Sequence, residues 1–121
     1  KENLFKRKAI AKIYNNNFEK ISWIKTLKTS PGHAYHLYII IVKNRKKLYN
    51  FLRERGILTQ IHYIPVHMQP YYRSLGWKQG DFKEAEAYYS KSLSIPIFPT
   101  LKVEEQKYII ETIKSFKKMK L

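Results

Sequence analysis

Apolar residues recur at helical spacing in several stretches of the chain, which predicts helices joined by short turns. In one of them Leu48, Phe51 and Leu52 form the apolar stripe, with Asn44 as its N-cap and Gly56 just beyond its end. The predicted helices cover 4–15, 45–55, 82–92 and 103–118; their buried faces are Ile10, Ala11 and Tyr14, then Leu48, Phe51 and Leu52, then Ala85, Tyr88 and Tyr89, then Ile109, Ile110, Ile113 and Phe116.

Other stretches have the pattern of strands. Residues 34–42 are largely apolar on both faces, so this strand should be central and covered. Residues 57–63 predict a second strand whose side chains alternate between its two faces, and Pro65 should end it. Residues 21–25 predict a short edge strand, and the prolines of 94–99 exclude a helix and favour an extended segment or short strand. Together these elements predict an α+β fold, with an antiparallel or mixed sheet of about three strands covered by helices.

No linker, repeat or low-complexity segment divides the chain. Its length is that of one domain, so residues 1–121 are predicted to form a single domain. Asp81 and Glu84 have the spacing of a reciprocal cap at the start of the third predicted helix. The sequence begins at Lys1 and not at methionine, which fits a piece of a longer protein.

The formal net charge of +15 suggests a nucleic-acid partner first. However, the charge is mostly lysine, and it is spread along the chain and not grouped in one stripe. A solvated basic surface is therefore the simpler interpretation of the charge. A third interpretation is that the overall positive electrostatic field attracts a small anionic ligand. The chain has no cysteine, no apolar run long enough to span a membrane and no visible signal peptide, so we expect a cytoplasmic protein.

The segment 56–72, GILTQIHYIPVHMQPYY, concentrates histidine, proline and tyrosine. Alternation along the predicted strand places Gln60 and His62 on the same side, where they offer neutral hydrogen-bonding groups. His67 follows in the loop, where it either binds a ligand or partner or is satisfied within the domain. We therefore predict that this segment forms part of the wall of a ligand site.

Known catalytic constellations are absent from the sequence. It has no paired catalytic carboxylates, no glycine loop for phosphate and no metal-binding histidine motif. His33 and His36 should lie on opposite faces of a strand, and His62 and His67 have no acidic or thiol ligand beside them in sequence. We expect no metal site.

Two segments of the sequence are more specific than these general patterns. GILTQIHYIPVHMQPYY at 56–72 and EAEAYYSKSLSIPIFPTLKVEEQKYIIETI at 84–113 resemble the C-terminal part of the DegT-type nucleotide-sugar aminotransferases. The resemblance covers nearly the whole chain and is especially close to the UDP-4-amino-4,6-dideoxy-sugar transaminase of pseudaminic acid biosynthesis. The chain departs from the family at Phe82-Lys83, where the family often has Phe-Pro, which concerns only a helix start.

The resemblance implies a small C-terminal domain of a fold type I enzyme that depends on pyridoxal 5′-phosphate (PLP). The lysine and the other cofactor-binding groups would belong to a large domain that precedes these residues and is absent from this chain. The resemblance therefore assigns no catalytic, cofactor-binding or metal-binding residue here, and the 121 residues alone are not expected to be active.

The same resemblance implies that this domain helps to bind a UDP-linked 4-keto-6-deoxy sugar and to close the site. The substrate-binding residues would be Gln60, Ile61, His62, Tyr63 and His67. The implied partners are the large domain, a second subunit in a homodimer, and glutamate as amino donor. The alternatives are a stand-alone basic module that binds nucleic acid, which the diffuse charge makes the weaker one, and a protein-interaction module.

Overall fold

The computed structural model describes residues 2–28, 33–62 and 64–120. Over these residues helices and short strands alternate around an antiparallel sheet. A 3₁₀ turn at Val66–Met68 precedes the third helix. In chain order the elements are α1 Glu2–Phe18, β1 Lys25–Thr26, β2 Tyr38–Ile41, α2 Arg45–Glu54, α3 Pro70–Ser74, α4 Lys83–Lys91, β3 Ser92–Ile95 and α5 Val103–Lys120.

The sheet has the order β1-β2-β3, and both pairings are antiparallel. β2 is therefore the central strand, as its apolar pattern predicted. In the longer pairing Tyr38 lies opposite Ile95 and Ile40 lies opposite Leu93. The predicted α+β class with about three strands is confirmed, and the sheet is antiparallel where the sequence allowed an antiparallel or a mixed one.

The two faces of the sheet have different roles. Tyr38 and Ile40 share one face with their cross-strand partners, and all of these side chains are buried against the helices. α5 packs on this face against both α1 and α2, and its predicted stripe of Ile109, Ile110, Ile113 and Phe116 is buried. The second face carries Ser92 and Ser94 opposite the half-buried Ile41 and Ile39.

Several helix ends differ from the sequence prediction. α1 continues through the asparagine run to Phe18, because Phe18 is fully buried in the core. Within this last turn the side-chain amide of Asn17 donates a hydrogen bond to the carbonyl of Ile13, four residues earlier, at 2.9 Å. Asn44 does occupy the N-cap position of α2, but its side chain makes no capping hydrogen bond. Gly56 has a φ of +80°, which fits its predicted place beyond the end of that helix.

The predicted second strand over 57–63 is wrong in extent. Of the described part of this segment only Gln60 pairs, through an isolated antiparallel bridge to Ser94. The adjacent strand is instead β3, which starts two residues before the predicted extended segment 94–99 and ends before its first proline. The edge strand predicted over 21–25 is present only as β1.

The predicted cap and buried face of the 82–92 helix are also wrong. α4 has Phe82 as its N-cap residue, and none of its residues is buried. Asp81 accepts a hydrogen bond from the backbone N–H of Lys78 at 2.7 Å, which makes it part of the preceding turn. Tyr89 is half-buried under the guanidinium of Arg45, whose Cζ lies 4.7 Å from the ring centroid.

Leu52 and Leu58 provide a direct test of this core. Leu52 is fully buried in α2, whereas Leu58 is 75% exposed. We expect Leu52→Ala to lower the free energy of unfolding by about 2–5 kcal/mol, since it leaves a cavity in the core. Leu58→Ala should change it by about 0.5 kcal/mol or less. Urea denaturation followed by circular dichroism measures both, and equal losses would contradict the assignment of the core.

Candidate binding site

Gln60 is held by β3. Its backbone N–H donates to the carbonyl of Ser94 at 3.0 Å, and the N–H of Ser94 donates back to the carbonyl of Gln60 at 2.8 Å. The residue itself is exposed. The backbone is therefore fixed to a sheet while the side-chain amide remains accessible for binding.

His62 lies two residues further on and is half-buried. Its Nδ1 is 3.3 Å from the hydroxyl oxygen of Ser94. Ser94 thus contacts Gln60 through its backbone and His62 through its side chain. The structure brings together the two residues that alternation placed on one side, and the residue that joins them was not among those predicted from the sequence.

The remaining predicted site residues have different surroundings. Ile61 is half-buried and packs against the hydrophobic core, so its side chain has a structural role within this chain. Tyr63 lies outside the described residues. His67 is 6% exposed, and its Nε2 lies 2.7 Å from Oε2 of Glu86. His67 therefore belongs to a separate hydrogen-bond network.

Glu86 is the centre of that second network. Besides contacting His67, its carboxylate accepts the backbone N–H of Gly80, with distances of 2.9 and 2.8 Å to the two oxygens. It also accepts the N–H of Phe82 at 3.4 Å. The hydrogen bond with His67 holds the pKa of the Glu86 carboxyl below its usual value, and the two backbone donors act in the same direction.

An open apolar cleft of about 460 Å³ lies beside this network. Trp77 and Phe82 are each about half exposed there, and their ring centroids are 5.5 Å apart. The His67 and Phe82 rings make an edge-to-face contact, with their centroids 4.9 Å apart. The cleft is lined by Pro65, Val66, His67, Tyr72, Trp77, Phe82 and Ala85, a set of side chains suited to an apolar or aromatic group.

Sequence reasoning missed Ser94 and Glu86. Ser94 does carry a sequence signal, because serines alternate with apolar residues in Ser92–Ile95 and must share the second face of the strand. Glu86 has no such signal in the sequence. Its partners are Gly80 in the preceding loop and His67, which lies 19 residues earlier in a turn.

Residues 1–114 match the model of the DegT/DnrJ/EryC1/StrS aminotransferase family. The chain is 31% identical over 113 residues to the dTDP-3-amino-3,6-dideoxy-alpha-D-galactopyranose transaminase of Aneurinibacillus thermoaerophilus, which covers 92% of this chain and 31% of that protein. It is 30% identical over 120 residues to the UDP-4-amino-4,6-dideoxy-N-acetyl-beta-L-altrosamine transaminase of Campylobacter jejuni, again 92% of this chain and 31% of that protein. The chain belongs to this aminotransferase family.

The fold is also that of solved relatives. The PLP form of Spr1654 from Streptococcus pneumoniae superposes with a TM-score of 0.89 at 29% identity, over 98% of this chain and 32% of that one. The chain thus spans 31% of the length of the two curated relatives that it matches.

The described lysines and metal-ligating side chains lack the surroundings of a Schiff base or a metal site. A Schiff-base lysine needs a desolvated or electrostatically tuned amine, but none of the lysines whose side chains are described is buried. Within the described ranges no three His, Cys, Asp or Glu side chains are grouped so as to hold a metal ion. None of the described helices is long and apolar enough to cross a membrane. What these residues offer is a set of neutral and aromatic binding groups.

Acid titration tests the role of Glu86. Because its folded pKa lies below its unfolded value, its contribution is fully present above the unfolded pKa and is lost as the pH falls through the folded pKa. We therefore expect the 76–82 loop to loosen below roughly pH 4, the usual range of a carboxylate. Trp77 fluorescence in a Trp23→Phe background reports this change, since these are the two tryptophans of the chain.

In the same background Glu86→Gln should reduce the acid-dependent change in Trp77 emission, while the Asp81 carboxylate remains in the loop. Glu84→Gln removes the same charge from an exposed position of the same helix and should leave the change intact. If the two variants titrate alike, Glu86 does not organise the loop.

Proposed function

We propose that this chain is the C-terminal small domain of a PLP-dependent aminotransferase that acts on a sugar nucleotide. The observation that carries the proposal is that the buried Ser94 holds the exposed Gln60 and the half-buried His62 together beside the sheet, in a chain of this aminotransferase family. Neutral donors and acceptors of this kind suit the hydroxyl and amide groups of a sugar. A strand provides a more precise platform for them than a loop would.

In this proposal the cofactor is bound by a large domain outside these residues. Support comes from the exposed or half-exposed lysines described above and from the relatives, which are about three times as long as the matched region. The small domain would supply substrate binding and site closure. By itself it should have no transaminase activity.

The substrate that we propose is a UDP-linked 4-keto-6-deoxy sugar, aminated at the expense of glutamate. Support comes from the 56–72 motif, with its resemblance to the pseudaminic acid pathway, and from the name of the Campylobacter relative. The net charge of +15 would favour the approach of a sugar diphosphate from any side. We further propose that the enzyme is a cytoplasmic homodimer, so that part of the exposed surface would meet a large domain or second subunit.

His62→Ala in the longer protein that carries this sequence tests the proposal. Losing one neutral hydrogen bond of about 0.5–1.5 kcal/mol should raise the KM for the sugar nucleotide roughly 2- to 10-fold. The visible absorbance of the bound cofactor should not change, since the proposal assigns His62 to the sugar nucleotide and not to the cofactor. Steady-state kinetics and absorbance spectra give the two readouts.

His36→Ala is the matched control, because His36 is exposed two residues before β2 and has no proposed role. It should leave the KM unchanged. A His62 variant with wild-type kinetics would remove His62 from the binding site, and a changed cofactor spectrum would assign it a different role.

A further inference from the structure

We infer that Ser94 is the positioning residue of the candidate sugar site, holding Gln60 through its backbone and His62 through its hydroxyl. The inference deepens the proposed function and depends on it for the identity of the ligand. The contact itself rests only on the geometry of this chain.

The backbone of Ser94 is fixed on both sides. In β3 it lies opposite Ile39 of the central strand, and on the other side it exchanges two hydrogen bonds with Gln60. The residue is only 7% exposed. A residue paired on both sides and shielded from water has little freedom to move, so the position of its hydroxyl is well defined.

The hydroxyl in turn constrains the imidazole of His62. With Oγ of Ser94 at 3.3 Å from Nδ1, either the hydroxyl donates to Nδ1 and the ring proton sits on Nε2, or Nδ1 donates to the hydroxyl. In both cases the contact fixes the plane of the ring and biases its tautomer. In the neutral ring Nε2 is a donor in the first arrangement and an acceptor in the second.

Ser92 provides a close control within the same strand. It shares the second face of β3 with Ser94, since the two residues are separated by one position. It is 2% exposed, and its hydroxyl has no hydrogen-bond partner among the described residues. Ser92→Ala and Ser94→Ala thus delete the same atom from equally buried places on one strand, and only the second removes a contact with His62.

The first experiment uses the 121-residue chain and needs no activity. Long-range ¹H–¹⁵N spectra resolve the ring nitrogens of the four histidines. We expect Ser94→Ala to shift the His62 nitrogens and change the tautomer ratio, with the other histidines unaffected. Ser92→Ala should leave all four rings unchanged. Unaltered His62 signals in Ser94→Ala would overturn the inference.

The second experiment measures the sugar-nucleotide KM and the kcat of the longer protein. Ser94→Ala should raise the KM roughly 2- to 10-fold with little change in kcat. The double variant, Ser94→Ala with His62→Ala, should have a KM no higher than that of either single variant. Ser94→Thr keeps the hydroxyl, so its KM should stay close to the wild-type value. Ser92→Ala should have a wild-type KM.

The two experiments separate two kinds of failure. Shifted His62 nitrogens with an unchanged KM would establish the contact but overturn the substrate role of His62. Unshifted nitrogens would overturn the positioning role whatever the KM. If Ser94→Ala loses its fold by circular dichroism, Ser94→Cys replaces it, because a thiol fills the site and is a much weaker hydrogen-bonding group.

Discussion

The structure depends on β3 being paired along both of its edges. On one edge it forms a four-residue antiparallel ladder with β2, and on the other it holds Gln60. Just beyond it the carbonyl of Pro96 accepts a hydrogen bond from the buried Tyr14 hydroxyl at 2.6 Å, which ties the strand to α1. A strand anchored in these three directions can define side-chain positions more precisely than the loops around it.

Locally encoded features were predictable from the sequence. The central strand, α2 with Gly56 behind it, and the buried stripe of α5 follow from patterns within a few residues of one another. The shared side of Gln60 and His62 was also expected, because alternation in an extended chain is a local rule. The extent of pairing in the 57–63 segment could not be predicted in the same way. Its bridge from Gln60 to Ser94 joins residues that are far apart in the sequence.

The misplaced features are those decided by distant partners. Asp81 has the right spacing for a helix cap, but the turn at Lys78 uses its carboxylate, and Glu86 takes the N–H groups of Gly80 and Phe82. Similarly, Ser94 reaches His62 across 32 residues of chain. Hydrophobic periodicity does not indicate which polar side chains form hydrogen bonds with one another. The two polar centres, Ser94 with Gln60 and His62, and Glu86 with His67, were therefore visible only in the structure.

The two polar centres differ in how firmly they are held. Gln60 and His62 are attached to the sheet and hence to the core, whereas His67 and Glu86 join a lobe in which α3 and α4 bury no residue. Elements with few buried contacts open at a lower free energy than the core does. The pair attached to the sheet is therefore held more firmly than the pair that joins α3 and α4. This division gives a physical reason for a single motif to carry two histidines with different neighbours.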